Sequence, residues 1–286
     1  MSLLHRITTR SIWSAVALSL ITPYFTAFSG EMSRRPNVVI ILADDLGYSD
    51  VGCYGGEIRT PHLDGLAAGG VRFTQFYNTA RCWPSRAALL TGYYAQQVGR
   101  DALPKVKGGS AGKRPAWAKL LPEMLRPLGY RNYFSGKWHV DGQPLENGFD
   151  RDYLLDDHNR NFSPEEHAED DVKLAAVPRG TGYYASTAIA DHAIKCLKGH
   201  AAEHAGEPFF EYLAFNVPHF PLQAPAEDIA RYAGKYSNGW EEQRRGRWER
   251  MQRMGMGGSV LSEIERKVGP PHRNPKVLEK LGPGEL

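Results

Sequence analysis

The sequence is poor in cysteine, with only Cys53, Cys82 and Cys196 among 286 residues. An odd count that low excludes a full disulfide framework and leaves at least one thiol to account for. It also lacks a strong charge imbalance. A formal net charge of +3, from scattered Lys and Arg, excludes the clustered basic face of a nucleic-acid-binding surface but is compatible with a small anionic substrate. The longest apolar stretch, Ile12 to Ile21, falls short of the ~20 residues of a membrane-spanning helix and is broken by Ser19, Thr22 and Pro23. No internal repeat is present. A hydrophobic content of 42% with 30 Gly and 19 Pro describes a globular chain with many loops. At this length it forms one large domain or two small ones.

The first residues differ in kind from the rest. His5, Arg6 and Arg10 precede the apolar stretch, and Ala27-Phe28-Ser29 presents small residues where a signal peptidase cuts. Residues 1–29 therefore read as a cleaved export signal, which places the mature protein outside the cytoplasm, secreted or periplasmic.

After the leader, Pro36 to Ala43 is a continuous β-branched run, the pattern of a strand buried on both faces of a parallel sheet. Asp44 and Asp45 follow at its carboxyl end, where open α/β sheets place ligands. Next come a Gly-rich loop at Gly52 to Gly56, a helix start at Thr60-Pro61 and a second strand-like run from Val71 to Tyr77. Further helices are predicted over Ser85 to Tyr93, Ala116 to Leu128 and Tyr183 to Lys198, and strands over Tyr130 to Ser135 and Pro208 to Phe215. This alternation predicts an α/β layered fold with a largely parallel sheet. From Trp240 the chain turns highly charged, then Gly- and Pro-containing, with no further buried strand.

Four features at or near these strand ends carry chemistry. Adjacent carboxylates at Asp44-Asp45 suit a hard cation with oxygen ligands, and serve equally well as solvated turn residues or a helix cap. Cys82 precedes a turn and a helix carrying Arg86, an environment that favours a thiolate; a structural cysteine in a tight turn is the plain alternative. Lys137 and His139 alternate after a short strand, which suits anion binding with proton transfer, although lone Lys and His are more often surface residues. His219 sits in the loop after another strand, where a hydrogen-bonded imidazole is as ordinary as a catalytic one. Strand ends of one α/β sheet converge on one crevice, so together the four favour an enzyme acting on an anion. Cys53 and Cys196 read as buried structural thiols.

The run Cys82-Trp83-Pro84-Ser85-Arg86-Ala87-Ala88-Leu89-Leu90-Thr91-Gly92 resembles the sulfatase signature, a Cys-x-Pro-Ser-Arg core followed by Leu-Thr-Gly. Asn37 to Gly47, Arg59 to Asp64, Gly136 to His139, Gly148-Phe149-Asp150 and Pro208 to Pro225 look like the same formylglycine-dependent arylsulfatase family in the same order. The resemblance implies a three-layer α/β/α sandwich with a large, mostly parallel, alkaline-phosphatase-like sheet, its incomplete catalytic part at 36–235 and a charged Gly/Pro tail at 236–286. It implies that a formylglycine-generating enzyme oxidises Cys82 to formylglycine. The hydrated aldehyde offers a second hydroxyl, which serine and cysteine lack, so the sulfated enzyme can release sulfate without attack of water on sulfur. It further implies calcium held by Asp44, Asp45 and the hydrate at position 82, Arg86 holding that hydrate, Lys137 on sulfate, His139 on the diol and His219 at the leaving oxygen.

Relatives carry a later Asp-Asn pair completing the calcium shell and a further lysine on sulfate. No Asp-Asn dipeptide follows His219 here, and the resemblance implies that the family's small C-terminal antiparallel domain is not within these 286 residues. The expectation is a sulfate monoester hydrolase with little or no calcium affinity in the 286-residue form. Two alternatives stay open, a phosphate or phosphonate monoester hydrolase of the same fold group and a non-catalytic truncated remnant.

Overall fold

The computed structural model describes residues 35–102, 112–258 and 260–263. The chain separates after Pro36, and Asn37–Leu286 is the unit described below. The predicted export signal lies outside the described residues.

A six-stranded sheet runs in the order β1-β6-β2-β3-β4-β5, with β1 Val38–Asp44, β2 Arg131–Gly136, β3 Arg151–Leu155, β4 His167–Glu169, β5 Val172–Lys173 and β6 Phe209–Pro218. The first four positions are mutually parallel, and β4 and β5 close the far edge as an antiparallel hairpin. Among the described residues the α-helices are α1 Pro61–Ala68, α2 Cys82–Thr91, α3 Leu121–Leu125, α4 Ala185–Glu203, α5 Ala226–Ala230 and α6 Trp240–Arg253.

The two faces of the sheet are covered differently. On one, Phe134, Phe210, Tyr212 and Ala214 pack with Leu90 of α2 and with Leu121 and Leu125 of α3, and Trp138 and Phe149 extend the aromatic cluster. On the other, α4 lays Ala185 and Ile189 against Tyr153 and Leu155. The predicted layered α/β architecture is thus present, with helices on both faces of a mostly parallel sheet.

Four local expectations differ. The β1 run is not buried on both faces: Val38, Ile40 and Leu42 pack into the core, while Val39 and Ile41 are 49% and 52% exposed, because α4, which covers that face, lies against β6, β2 and β3. Val71 to Tyr77 is not a strand; it pairs with no described strand and exposes Phe76 and Tyr77. The helix expected over Ala116 to Leu128 shrinks to α3 and a 3-10 turn at Arg126–Leu128, closed by Gly129 at φ 84°. Pro127 brings no N–H to a fourth-residue bond there. The charged segment beyond Trp240 begins with α6, whose Arg247 clasps Glu57 and Asp50 through three hydrogen bonds of 2.5–2.9 Å. Among the described residues no helix is long and apolar enough to cross a membrane.

Candidate active site

Four parallel strands deliver residues to one sheet end. Asp44 is the last residue of β1 and Asp45 follows at φ 64°. At the end of β2, Gly136 at φ 121° brings its Cα so close to β6 that an added Cβ would lie 2.1 Å from the Ala214 carbonyl oxygen, a place only glycine fills. The Lys137 N–H then donates to that carbonyl at 2.8 Å, and its side chain turns inward. His219 follows the end of β6, and His158 lies in the loop after β3.

Helix α2 supplies the remaining pieces. It begins at Cys82, three residues earlier than predicted, with Arg81 as an extended N-cap, and stops at Gly92 in the left-handed conformation. Cys82 therefore lies in the first turn, where free backbone N–H groups and the helix dipole favour negative charge. Arg86, one turn on, points into the protein and is 1% exposed. One of its terminal nitrogens donates to the Lys137 carbonyl at 2.6 Å and to the Tyr212 hydroxyl at 3.4 Å, and the other lies 3.4 Å from Asp44 Oδ1. Lys137 Nζ donates to Asp44 Oδ2 at 2.5 Å.

Two buried cations thus share one buried carboxylate. Burial raises the Asp44 pKa, but the Lys137 hydrogen bond and the Arg86 and Lys137 charges outweigh it and hold the carboxyl below its ordinary value. The balance stays positive. Arg86 also keeps two buried nitrogens, Nε and the Nη2 that faces Asp44, without a hydrogen bond, which suits an incoming anion.

Three imidazoles line the crevice. The His139 and His158 rings stack at 6.0 Å, and the His158 and His219 rings meet edge-on at 5.8 Å. His139 lies at φ 54°, beside the Trp83 ring, with a buried Nδ1 that has no partner. Burial, and then the Lys137, His158 and Arg86 charges, push its pKa down to about 4, so it is neutral near pH 7. Burial and the Lys137 charge lower His158 as well.

All seven predicted site residues, Asp44, Asp45, Cys82, Arg86, Lys137, His139 and His219, gather here. Asp44, Cys82 and His219 bring ligand-type atoms within 4.8 Å of one another. Asp45, its side chain 57% exposed, reaches the group through His219 at 3.7 Å. His158 and Tyr212 escaped the sequence reading. The signal for His158 was the apolar Tyr153-Leu154-Leu155 run directly before its loop; Tyr212, inside a strand, gave none. Cys196 is buried as predicted, and Cys53 is half-buried.

The donors do not by themselves make a calcium shell. Calcium takes six to eight oxygens, whereas the described cluster offers two carboxylates, one already held by two cations, with a thiol and an imidazole. The set fits an anion better than a further cation.

Fold and site together define an α/β protein with an anion-attracting crevice at the carboxyl ends of parallel strands. A family model described as Sulfatase matches residues 36–272, and the chain belongs to the sulfatase family. It is 34% identical over 254 residues to an uncharacterized sulfatase of Schizosaccharomyces pombe, covering 78% of this chain and 45% of that one. An arylsulfatase of Klebsiella aerogenes is 34% identical over 247 residues, covering 78% and 51%. The chain spans about half the length of these relatives. Among solved structures, Ps i-CgsB superposes with a TM-score of 0.62 at 30% identity, covering 78% of this chain and 54% of that one, and is also known in complex with k-i-k-neocarrahexaose. Another, with a TM-score of 0.55 at 29% identity and covering 72% and 38%, holds its substrate D-glucosamine-2-N,6-O-disulfate.

Proposed function

We propose that this chain carries the nucleophile half of a sulfate monoester hydrolase, with position 82 as the attacking residue. The observation behind this is the placement of Cys82 in the first turn of α2, within 4.8 Å of Asp44, the carboxylate that Arg86 and Lys137 hold. Once oxidised to formylglycine by a generating enzyme and hydrated, the residue supplies a geminal diol, one oxygen to attack sulfur and one to release sulfate.

The other side chains act on the ester. Arg86, anchored on the Lys137 carbonyl, orients the group at position 82, and its Nε, which has no hydrogen bond, is left for the anion. Lys137 neutralises sulfate oxygens as Asp44 holds it in place. His139, neutral near pH 7, accepts a proton through its open Nδ1. His219, paired with Asp45, donates to the leaving oxygen. His158 packs between the two rings and fixes their separation.

Asp44 and Asp45 are the carboxylates that would contribute to a calcium shell, with further oxygens required beyond the described ones. For the 286-residue chain, calorimetry with calcium is expected to show weak binding; tight stoichiometric uptake would overturn this. We further propose export, on the strength of the leader.

The decisive test is peptide mass spectrometry after co-expression with a formylglycine-generating enzyme. An unmodified thiol at Cys82 sinks the mechanism. Parallel assays on nitrophenyl sulfate and nitrophenyl phosphate separate a sulfatase from a phosphate or phosphonate hydrolase, and no turnover of either identifies a non-catalytic chain.

A further inference from the structure

The loops that carry His158 and His219 are sewn together on their outer side. Gln223 Nε2 donates to the Asn159 carbonyl at 3.0 Å, and the Asn161 N–H donates back to Gln223 Oε1 at 3.1 Å. The Tyr184 hydroxyl holds the Gln223 carbonyl at 3.2 Å. Asn216, fully buried near the end of β6, donates to the His158 carbonyl at 3.2 Å and to Asn161 Oδ1 at 2.5 Å. These bonds fix the outer wall of the loops relative to the two imidazoles.

Along that wall lies a half-open cavity of about 440 Å³, lined by Asn159, Arg160, Phe162, Ser163, Arg179 and Gln223. The volume lies within the roughly 300–1,000 Å³ of small-molecule sites. Its chemistry is selective. The Asn159 amide and the Ser163 hydroxyl exchange hydrogen bonds with hydroxyls in both directions, while Gln223 holds the wall through its bonds to Asn159 and Asn161. Phe162, its ring braced by Tyr184 at 5.1 Å, offers an apolar face of the kind that receives the C–H face of a pyranose. Arg160 already meets Asp157 at 3.4 Å and also pairs with Glu165. Arg179 pairs with no carboxylate among the described residues.

We propose that this cavity is a subsite for an anionic saccharide unit, in which Arg179 takes a sulfate or carboxylate on the sugar next to the one whose sulfate ester enters the Cys82 crevice. The inference rests on the sulfate-ester reading above and names its substrate class, an oligosaccharide bearing at least two anionic groups. Asn159 directly follows His158 and Gln223 lies four residues after His219, and the proposal has one chain of sugars reach both places. Arg179 is a specificity residue here and touches no reacting atom.

Binding separates this from catalysis. In a Cys82→Ala background, calorimetry compares a disulfated disaccharide, its monosulfated counterpart and a monosulfated disaccharide containing a uronate. The disulfated ligand is expected to bind about tenfold more tightly than the monosulfated one, the gain of one charge-assisted arginine contact. Arg179→Ala should bring that ratio close to one, and Arg179→Lys should restore part of it. The uronate ligand tells whether a carboxylate serves as the second anion. Arg179 is exposed, and unchanged melting temperatures of the variants exclude misfolding as the cause. A preference that survives Arg179→Ala, or no preference in the parent, overturns the subsite even where nitrophenyl sulfate is hydrolysed. An Arg179-dependent preference without any sulfate turnover leaves the subsite standing and overturns the hydrolase reading alone.

Discussion

Glu211 lies in the middle of β6, opposite Val39 of β1 and Tyr133 of β2, fully buried with both carboxyl oxygens unpartnered. Burial alone pushes its pKa up to about 8 from the ordinary 4.5. The folded protein therefore keeps a proton that the unfolded chain releases above about pH 4.5. The fold binds more protons than the unfolded chain across that window, so the contribution to stability is complete below about 4.5 and is lost as pH rises toward 8. The slope approaches about 1.4 kcal/mol per pH unit and accumulates to roughly 4 kcal/mol, a large share of the roughly 5–15 kcal/mol that keeps a domain folded. Glu211→Met removes the titration and replaces the unpartnered carboxyl by an apolar group of similar size. Urea unfolding of both proteins from about pH 5 to about pH 8, at constant m, isolates the effect, since all other titrations cancel in the difference. The wild type should lose ground to the variant steadily as pH rises. Parallel pH profiles, or a wild type that gains on the variant, would refute the buried, neutral Glu211.

Gly136→Ala should cost about 3 kcal/mol or more, because the new Cβ meets the Ala214 backbone at 2.1 Å and φ is 121°; a loss under about 1 kcal/mol in urea unfolding would show that the strands part easily there. Arg86→Met leaves Asp44 with Lys137 as its only buried cation and strips donors from Tyr212 and the Lys137 carbonyl, with an expected loss of about 3 kcal/mol. Arg86→Lys should recover less than half, since one ammonium does not span these partners, and full recovery in a thermal melt would contradict the bridging role. In an NMR titration the His139 ring should stay neutral down to about pH 4; a midpoint above about 6 would mean that burial and the neighbouring cations act far more weakly than the geometry implies.

The sequence by itself determined what short-range chemistry encodes. The β-branched run before Asp44-Asp45, the Cys82 turn leading into a helix, and the short strand before Lys137 and His139 were all legible, because each element and its terminus depend on residues a few positions apart. The same locality set the errors. Nothing in Val38 to Ala43 tells whether one face or both will be covered, and an apolar run such as Val71 to Tyr77 becomes a strand only when a partner edge is within reach. Pro127 was a local signal that helical spacing outweighed on paper and that the missing N–H outweighed in the fold. Tertiary structure alone decided which cations hold Asp44, 93 residues from Lys137, that Tyr212 reaches Arg86 across 126, and that His158 completes the imidazole row. Such contacts arise where parallel strands happen to end, and the spatial order β1-β6-β2-β3 is set by packing over the whole sheet, which no sequence window contains.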